Sequence, residues 1–249
     1  MKKGLLLLVA SLVSFASINS VAAEETTSDT ITNRSGVVMP IEKYNALKSI
    51  YSDNFMNYMT QEEYNIIKDK DLSKVVIKET TDANSNSSTG TRATEHTTSS
   101  KSLRIINNDG FVTMTLTWYK VPTIKKWDVM AFRKNSSVNI SNYYLFRQYY
   151  LSTDNESKLS TEKYGQNFDN GVGATFKVQN GSGHEMELSA DFTGSGRVYG
   201  SYQHASNSKA TLADAMDYTL SGSGFGGVIL FNEAIESKFD GMGGVYLTL

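Results

Sequence analysis

The sequence predicts a mainly β protein: an antiparallel β-sandwich, of jelly-roll or immunoglobulin-like type, preceded by a short helical segment. Polar and apolar residues alternate along several stretches, of which residues 112–118 are the most regular. Turn sequences such as Asn108-Asp109-Gly110 separate these stretches, and most of the 19 glycines lie between Gly165 and Gly244. This pattern disfavours long helices and is typical of about ten short strands connected by tight turns.

Residues 1–23 have the pattern of a signal peptide. Two lysines follow the initial methionine, residues 5–10 are apolar, and residues 21–23 offer small side chains for cleavage. Serines and an asparagine interrupt the apolar stretch further on, which disfavours a membrane-spanning helix. We therefore expect a secreted, extracellular protein.

The chain contains no cysteine, which excludes disulfides, thiolate catalysis and metal sites built from cysteine. A cysteine-free secreted domain depends on its apolar core for stability. The formal net charge is −2, and no nucleic-acid partner is predicted. The frequent use of lysine, asparagine and tyrosine is typical of a bacterial chain.

After the signal peptide we expect three regions. Residues 24–79 form an N-terminal segment with two short helices, the first after Pro40 and the second at Thr60, where a capping box with Glu63 is predicted. Residues 80–100 form a linker rich in serine, threonine and asparagine, and residues 101–249 form the β-sandwich domain. The linker is either a flexible tether or a protease-sensitive junction that makes residues 24–100 a removable pro-segment.

Within the β domain, residues 112–118 place Met114, Leu116 and Trp118 on one face and three threonines on the other. Residues 174–179 and 186–192 alternate in the same way. A short apolar run at 228–231 indicates a buried strand, whereas residues 211–218 and 232–239 are compatible with single helical turns.

No arrangement of residues typical of an enzyme is evident, and we predict no catalytic residue, no metal and no cofactor. His184 is expected to be exposed in a turn, and His204 to be a structural residue on a strand. Glu185 and Glu187 share a strand face opposite to Met186, so we expect a solvent-exposed face rather than a catalytic carboxylate pair.

Aromatic and basic residues are concentrated between residues 118 and 150. Exposed aromatic rings stack on sugars or lie at membrane interfaces, and neighbouring lysine and arginine residues favour anionic partners. The alternative is that many of these rings fill the core. The candidate ligand-binding residues are Trp118, Tyr119, Lys125, Lys126, Trp127, Arg133, Tyr143 and Tyr144.

These observations favour a secreted, non-enzymatic interaction protein that binds a cell-envelope polymer such as a polysaccharide, another glycan, an anionic surface or a host surface. Peripheral contact with a membrane is compatible with the same residues, and the oligomeric state stays open. Two alternatives remain: a secreted pore-forming or membrane-active toxin, and an extracellular glycan hydrolase built on a β-sandwich.

Overall fold

The fold is known from a computed structural model that describes residues 29–81, 100–221, 228–242 and 244–249, without the side chains of residues 142 and 143. The predicted signal peptide and residues 82–99 of the predicted linker lie outside these ranges. None of the helices within them is both long enough and apolar enough to cross a membrane. The division into domains stays a prediction.

Within the described ranges, short strands predominate and five short helices lie between them. In chain order the elements are β1 (Thr30–Thr32), β2 (Val38–Pro40), α1 (Ile41–Lys48), α2 (Asp53–Tyr58), α3 (Gln61–Ile67), a 3₁₀ turn (Leu72–Lys74), β3 (Val76–Thr81), β4 (Lys101–Asn108), β5 (Phe111–Trp118), β6 (Trp127–Lys134), β7 (Val138–Leu151), β8 (Ser157–Ser160), β9 (Tyr164–Phe168), β10 (Gly171–Lys177), β11 (Ser182–Gly194), β12 (Arg197–Ala205), α4 (Leu212–Met216), β13 (Tyr218–Leu220), β14 (Ile229–Phe231), α5 (Glu233–Glu236), β15 (Phe239–Gly241) and β16 (Val245–Thr248).

Two six-stranded antiparallel sheets form the body of the protein. Sheet I has the strand order β3-β4-β5-β11-β7-β8. Sheet II has the order β15-β12-β6-β10-β9, and β16 pairs with β12 beside β15. The protein is therefore mainly antiparallel β.

The two sheets pack face to face around the main apolar core. Sheet I contributes Leu116 and Phe146, and sheet II contributes Phe132 and Phe176. The rings of Phe146 and Phe176 stack with their centroids 4.3 Å apart, which joins the two layers directly. The predicted β-sandwich is confirmed, and the predicted inward face of β5 is the face that lies in this core.

The outer face of sheet II is covered by the C-terminal part of the chain. Val129 and Ala131 of β6 point away from the main core and contact a second apolar cluster. That cluster contains Ile229 and Phe231 of β14 and Ile235 of α5. The helical turns expected near residues 211–218 and 232–239 are present as α4 and α5.

The helical segment covers part of the outer face of sheet I. It has three helices where the sequence predicts two, and the additional helix α2 begins at Ser52, whose hydroxyl accepts a hydrogen bond from the Phe55 amide. The capping box of Thr60 and Glu63 is confirmed at the start of α3. Phe55 packs against Phe111 of β5 with ring centroids 6.5 Å apart, so helices and sheet share a third apolar cluster.

The chain that leaves the helices enters the sheet itself. Strand β3 pairs with β4 in a continuous antiparallel register, from Val76 opposite Asn107 to Thr81 opposite Ser102. The N-terminal segment therefore supplies an edge strand of sheet I as well as helices that lie on it.

Candidate functional site

The connection between β5 and β6, residues 119–126, carries the chain from sheet I to sheet II at one end of the sandwich. Lys101, the first residue of β4, lies opposite Trp118, the last residue of β5. We call this the upper end, and the turn between β4 and β5 at residues 108–111 marks the lower end. The connection contains three lysines and no acidic residue.

Five of the eight candidate residues lie in or beside this connection, but they face different directions. Trp118 points between the sheets, where its indole N–H donates to the Tyr202 hydroxyl at 3.2 Å. Tyr119 points to the outer face of sheet I, and its hydroxyl donates to Ser102 Oγ at 2.9 Å. Adjacent strand residues must alternate in this way.

The other three members of this group anchor the connection to its neighbours. Lys125 Nζ donates to the Gly181 carbonyl at 2.8 Å, and the Lys126 carbonyl accepts from the Val178 amide at 2.8 Å. Trp127 lies on the outer face of sheet II and contacts the Tyr164 ring, with centroids 5.6 Å apart. These contacts fix the end of the connection that leads into β6.

The remaining three candidates lie towards the lower end, away from the first five. Arg133 is buried, with its guanidinium carbon 3.8 Å from the centroid of the Tyr199 ring. Tyr144 packs against the main core, and Lys163 Nζ lies 4.9 Å from its ring centroid. Tyr143 lies in β7, and its side chain is outside the described part of the chain.

A cleft of about 520 Å³ opens between the sheets at the upper end, and we call it the interior cleft. One wall is the connection, which contributes the apolar residues Val121, Pro122 and Ile124. The opposite wall is polar and comes from strands of both sheets. Its residues are Lys101, Trp118, His204 and Asp240, with Ser100, Lys120, Thr123 and Ser206 around the opening.

A buried histidine and aspartate form the base of the interior cleft. His204 is 7% exposed, and its Nδ1 lies 3.0 Å from both carboxylate oxygens of Asp128. The carboxylate of Asp128 also accepts from the Ala205 amide at 3.0 Å and from the Tyr202 hydroxyl, whose pKa is raised by burial and by the charge of Asp128. Within the described residues the imidazole bonds through Nδ1, and His204 lines the cleft.

A second charged pair lies beside this histidine. Lys101 Nζ is 3.6 Å from the Asp240 carboxylate and 4.8 Å from the centroid of the Trp118 ring. Asp240 is directly opposite His204 in the ladder between β12 and β15. The polar wall therefore combines a carboxylate, a lysine, an imidazole and an indole from four different strands, and the buried Asp128 carboxylate lies behind His204 on a fifth.

Sequence reasoning missed Asp128, Asp240 and Lys101 as members of a site. Asp128 and His204 are 76 residues apart and meet only because β6 and β12 are neighbours. A signal for Asp128 was present, because strand alternation places it on the same inward face as Met130 and Phe132. A carboxylate at such a position must be hydrogen-bonded or paired.

The predicted solvent-exposed face of Glu185 and Glu187 is wrong for Glu187. Helices α1 to α3 cover this face, and Glu187 is buried with its Oε1 2.8 Å from Arg147 NH1. The same guanidinium nitrogen lies 2.8 Å from Glu63 Oε1. These carboxylates join helix α3 to sheet I. His184, which was expected to be exposed, is also buried, and burial lowers its pKa.

Within residues 29–81, 100–221, 228–242 and 244–249, no group of three or more histidine, aspartate or glutamate side chains is placed to hold a metal ion.

No protein-family model and no curated protein sequence matches the chain. Among solved structures, it is similar to the collagen-binding subdomain ACE19 of the Enterococcus faecalis surface protein ACE, with 9% identity over 57% of this chain and 86% of that chain and a TM-score of 0.29. A collagen-binding domain from a Staphylococcus aureus adhesin has 7% identity over 56% of this chain and 87% of that chain, with a TM-score of 0.30.

The KRT10-binding region domain of the pneumococcal serine-rich repeat protein PsrP has 6% identity over 52% of this chain and 84% of that chain, with a TM-score of 0.28. With identities this low and TM-scores below 0.5, these likenesses assign neither a ligand nor a site to this chain.

Proposed function

We propose that this chain is a secreted, non-enzymatic interaction protein that binds an anionic glycan of the cell envelope or of a host surface through the interior cleft. The observation that carries the proposal is the composition of the cleft. An apolar wall of Val121, Pro122 and Ile124 faces a wall that contains Lys101 and His204. Concave sites with an apolar lining and a few convergent polar groups are typical ligand sites.

The charge of the connection supports an anionic partner. Lys120, Lys125 and Lys126 lie on this one connection of eight residues, whose sequence contains no acidic residue. Lysines held on one short segment raise the local positive potential and favour the approach of a polyanion. Lys120 lines the cleft itself, and Lys125 on the same connection is fixed by its bond to the Gly181 carbonyl.

The arrangement of His204 supports binding rather than hydrolysis. The carboxylate of Asp128 fixes the ring, so that Nε2 can donate to or accept from a ligand in the cleft. No serine or threonine hydroxyl forms a hydrogen bond with Nε2 among the described residues. A nucleophile paired with a histidine needs that contact, at least through a water molecule.

The proposal is tested with two anionic polysaccharides and an uncharged one, of which dextran sulfate and dextran share the same backbone. The purified protein is passed over immobilised polygalacturonate, dextran sulfate and uncharged dextran, and we expect retention on the two anionic matrices. Replacement of Lys120 by glutamate at the rim should weaken binding about tenfold, which corresponds to about 1.4 kcal/mol.

The matched control is Lys68→Glu, because Lys68 follows helix α3 near the lower end and gives the same change in net charge. Equal losses in the two variants would mean that only the overall charge matters. Absence of retention on both anionic matrices would overturn the proposed function.

A further inference from the structure

A second concavity lies at the upper end, on the outer face of sheet I, and we call it the outer pocket. It has a volume of about 370 Å³ and lies between the start of helix α2 and the edge strand β3. It opens on the opposite side of sheet I from the interior cleft, because Tyr119 lines the outer pocket whereas its neighbour Trp118 lines the cleft.

The strand register fixes the floor of the outer pocket. Arg104 of β4 lies opposite Thr115 of β5, and in the next row Ser102 lies opposite Thr117. Thr117 is in turn opposite Glu185 of β11. These side chains share one face of three adjacent strands, so hydrogen bonds of the backbone hold their spacing.

The carboxylate of Glu185 is positioned by the helical segment. Ser52 Oγ donates to Glu185 Oε1 at 2.7 Å while it accepts from the Phe55 amide at 3.1 Å. Burial raises the pKa of Glu185, and Ser52 opposes that shift. The outer pocket is therefore complete only when the N-terminal segment lies on sheet I.

Arg104 supplies donors to the same pocket. Its guanidinium interacts electrostatically with Glu185 but forms no hydrogen bond within the described part of the chain. It therefore presents N–H groups to any ligand. Tyr119 lies at the rim, where the residue is 58% exposed while its hydroxyl donates to Ser102.

We propose that the outer pocket binds one neutral sugar ring. Each sugar hydroxyl both donates and accepts, and Ser102, Thr115 and Thr117 offer hydroxyls with the same double capacity. The carboxylate of Glu185 accepts from adjacent hydroxyls, the Arg104 guanidinium donates to ring or hydroxyl oxygens, and the exposed Tyr119 ring packs on the apolar face of the sugar.

The charge of the pocket favours a neutral ligand over an anion. Glu79 and Glu185 both line it, against the single cation Arg104. The outer pocket therefore differs in ligand chemistry from the lysine-rich interior cleft. Binding at the outer pocket goes beyond the proposed function of the interior cleft. The two sites have in common only that each binds part of a glycan.

The test uses saturation-transfer NMR with the full mature chain and individual probes: glucose, galactose, N-acetylglucosamine, glucuronate and alanine. We expect transfer to at least one of the three neutral sugars. This transfer should fall at least tenfold in Glu185→Gln and in Arg104→Met, and also in Thr117→Val, which removes one hydroxyl with little change in shape. The matched control Thr219→Val removes an exposed hydroxyl from β13 on the other side of the sandwich and should leave the signal unchanged.

Two results would overturn the inference. One is the absence of transfer to all three neutral sugars, and the other is transfer that survives in both Glu185→Gln and Arg104→Met. Preferential transfer to alanine would assign the Arg104 and Glu185 pair to a zwitterion instead. The variant Lys120→Glu should bind neutral sugars normally, so that failure of the proposed function and failure of this inference are distinguished.

Discussion

Glu63 of helix α3 and Arg147 of strand β7 are 84 residues apart in the chain and form a buried ion pair beneath the helical segment. The same carboxylate of Glu63 accepts from the Thr60 amide at 2.8 Å and so completes the capping box. The Glu63 side chain thus satisfies a backbone N–H at the start of helix α3 and also links that helix to the sheet. The stability of the N-terminal segment and of the sandwich should therefore be coupled.

Replacement of Arg147 by methionine should destabilise the protein strongly. The guanidinium lies beside both Glu63 and Glu187, and its removal leaves the buried Glu63 carboxylate without a cation. Breaking a buried pair in this way costs about 3–5 kcal/mol. Urea denaturation followed by circular dichroism measures the loss. The control Lys158→Met breaks an exposed pair with Glu156 and should leave the midpoint unchanged. Similar midpoints for the two variants would contradict the prediction.

Glu187 should make the folded state less stable as the pH rises. Burial raises its pKa from the ordinary value of 4.5 to about 8, with Arg147 opposing the shift. The folded state therefore favours the protonated carboxyl, and this contribution is complete below pH 4.5 and is lost as the pH rises through about 8. The Glu187→Gln side chain is uncharged at every pH and has nearly the same shape as the protonated carboxyl.

The measurement is the free energy of unfolding across this pH range for the wild type and for Glu187→Gln. The wild type should lose stability relative to the variant by a few kcal/mol, of the order expected for such a shift. Parallel curves for the two proteins would show that folding does not shift the pKa of Glu187.

Thr60→Ala should remove the side-chain cap of helix α3 at a cost of about 1 kcal/mol. The Thr60 hydroxyl accepts from the Glu63 amide at 3.3 Å, and this donor has no other partner in the first turn. Thr60→Ser retains the hydroxyl and should retain most of the stability. Thermal unfolding compares the three proteins, and equal destabilisation by alanine and serine would contradict the role of the cap.

Cleavage between β3 and β4 should leave the two fragments associated. A recognition site for a specific protease, placed within residues 82–99, allows one cut without a change in the ladder from Val76 to Thr81. Backbone pairing, the third apolar cluster and the Glu63–Arg147 pair should then hold the fragments together. Size-exclusion chromatography followed by a denaturing gel shows whether both fragments elute at the intact volume. Release of the N-terminal fragment would support a removable pro-segment.

The features that the sequence predicts well are local. Alternation along residues 112–118 identifies the inward face of β5, and the spacing of Thr60 and Glu63 identifies a helix start. Both depend on contacts within a few residues. Helix α2 was missed because its only start signal is the Ser52 cap in a stretch of six residues, which is too short for a clear helical period.

The candidate site was only partly predictable, because its geometry depends on contacts between distant strands. Clustering along the chain identified the connection with Lys125 and Lys126, but not the direction in which each side chain points. The pairing of Asp128 with His204 depends on the adjacency of β6 and β12. The burial of Glu187 likewise depends on a helix more than a hundred residues earlier in the chain.

Strand β3 changes the meaning of the polar segment that follows it. Thr81 and Ser102 are partners in one ladder, so residues 82–99 join two neighbouring strands rather than two separate bodies. The entropic free-energy cost of closing such a loop rises by only about 0.6 kcal/mol for each doubling of its length. The length and composition of this segment can therefore vary over evolution, or be altered by insertion of a foreign peptide, at little cost in folding free energy.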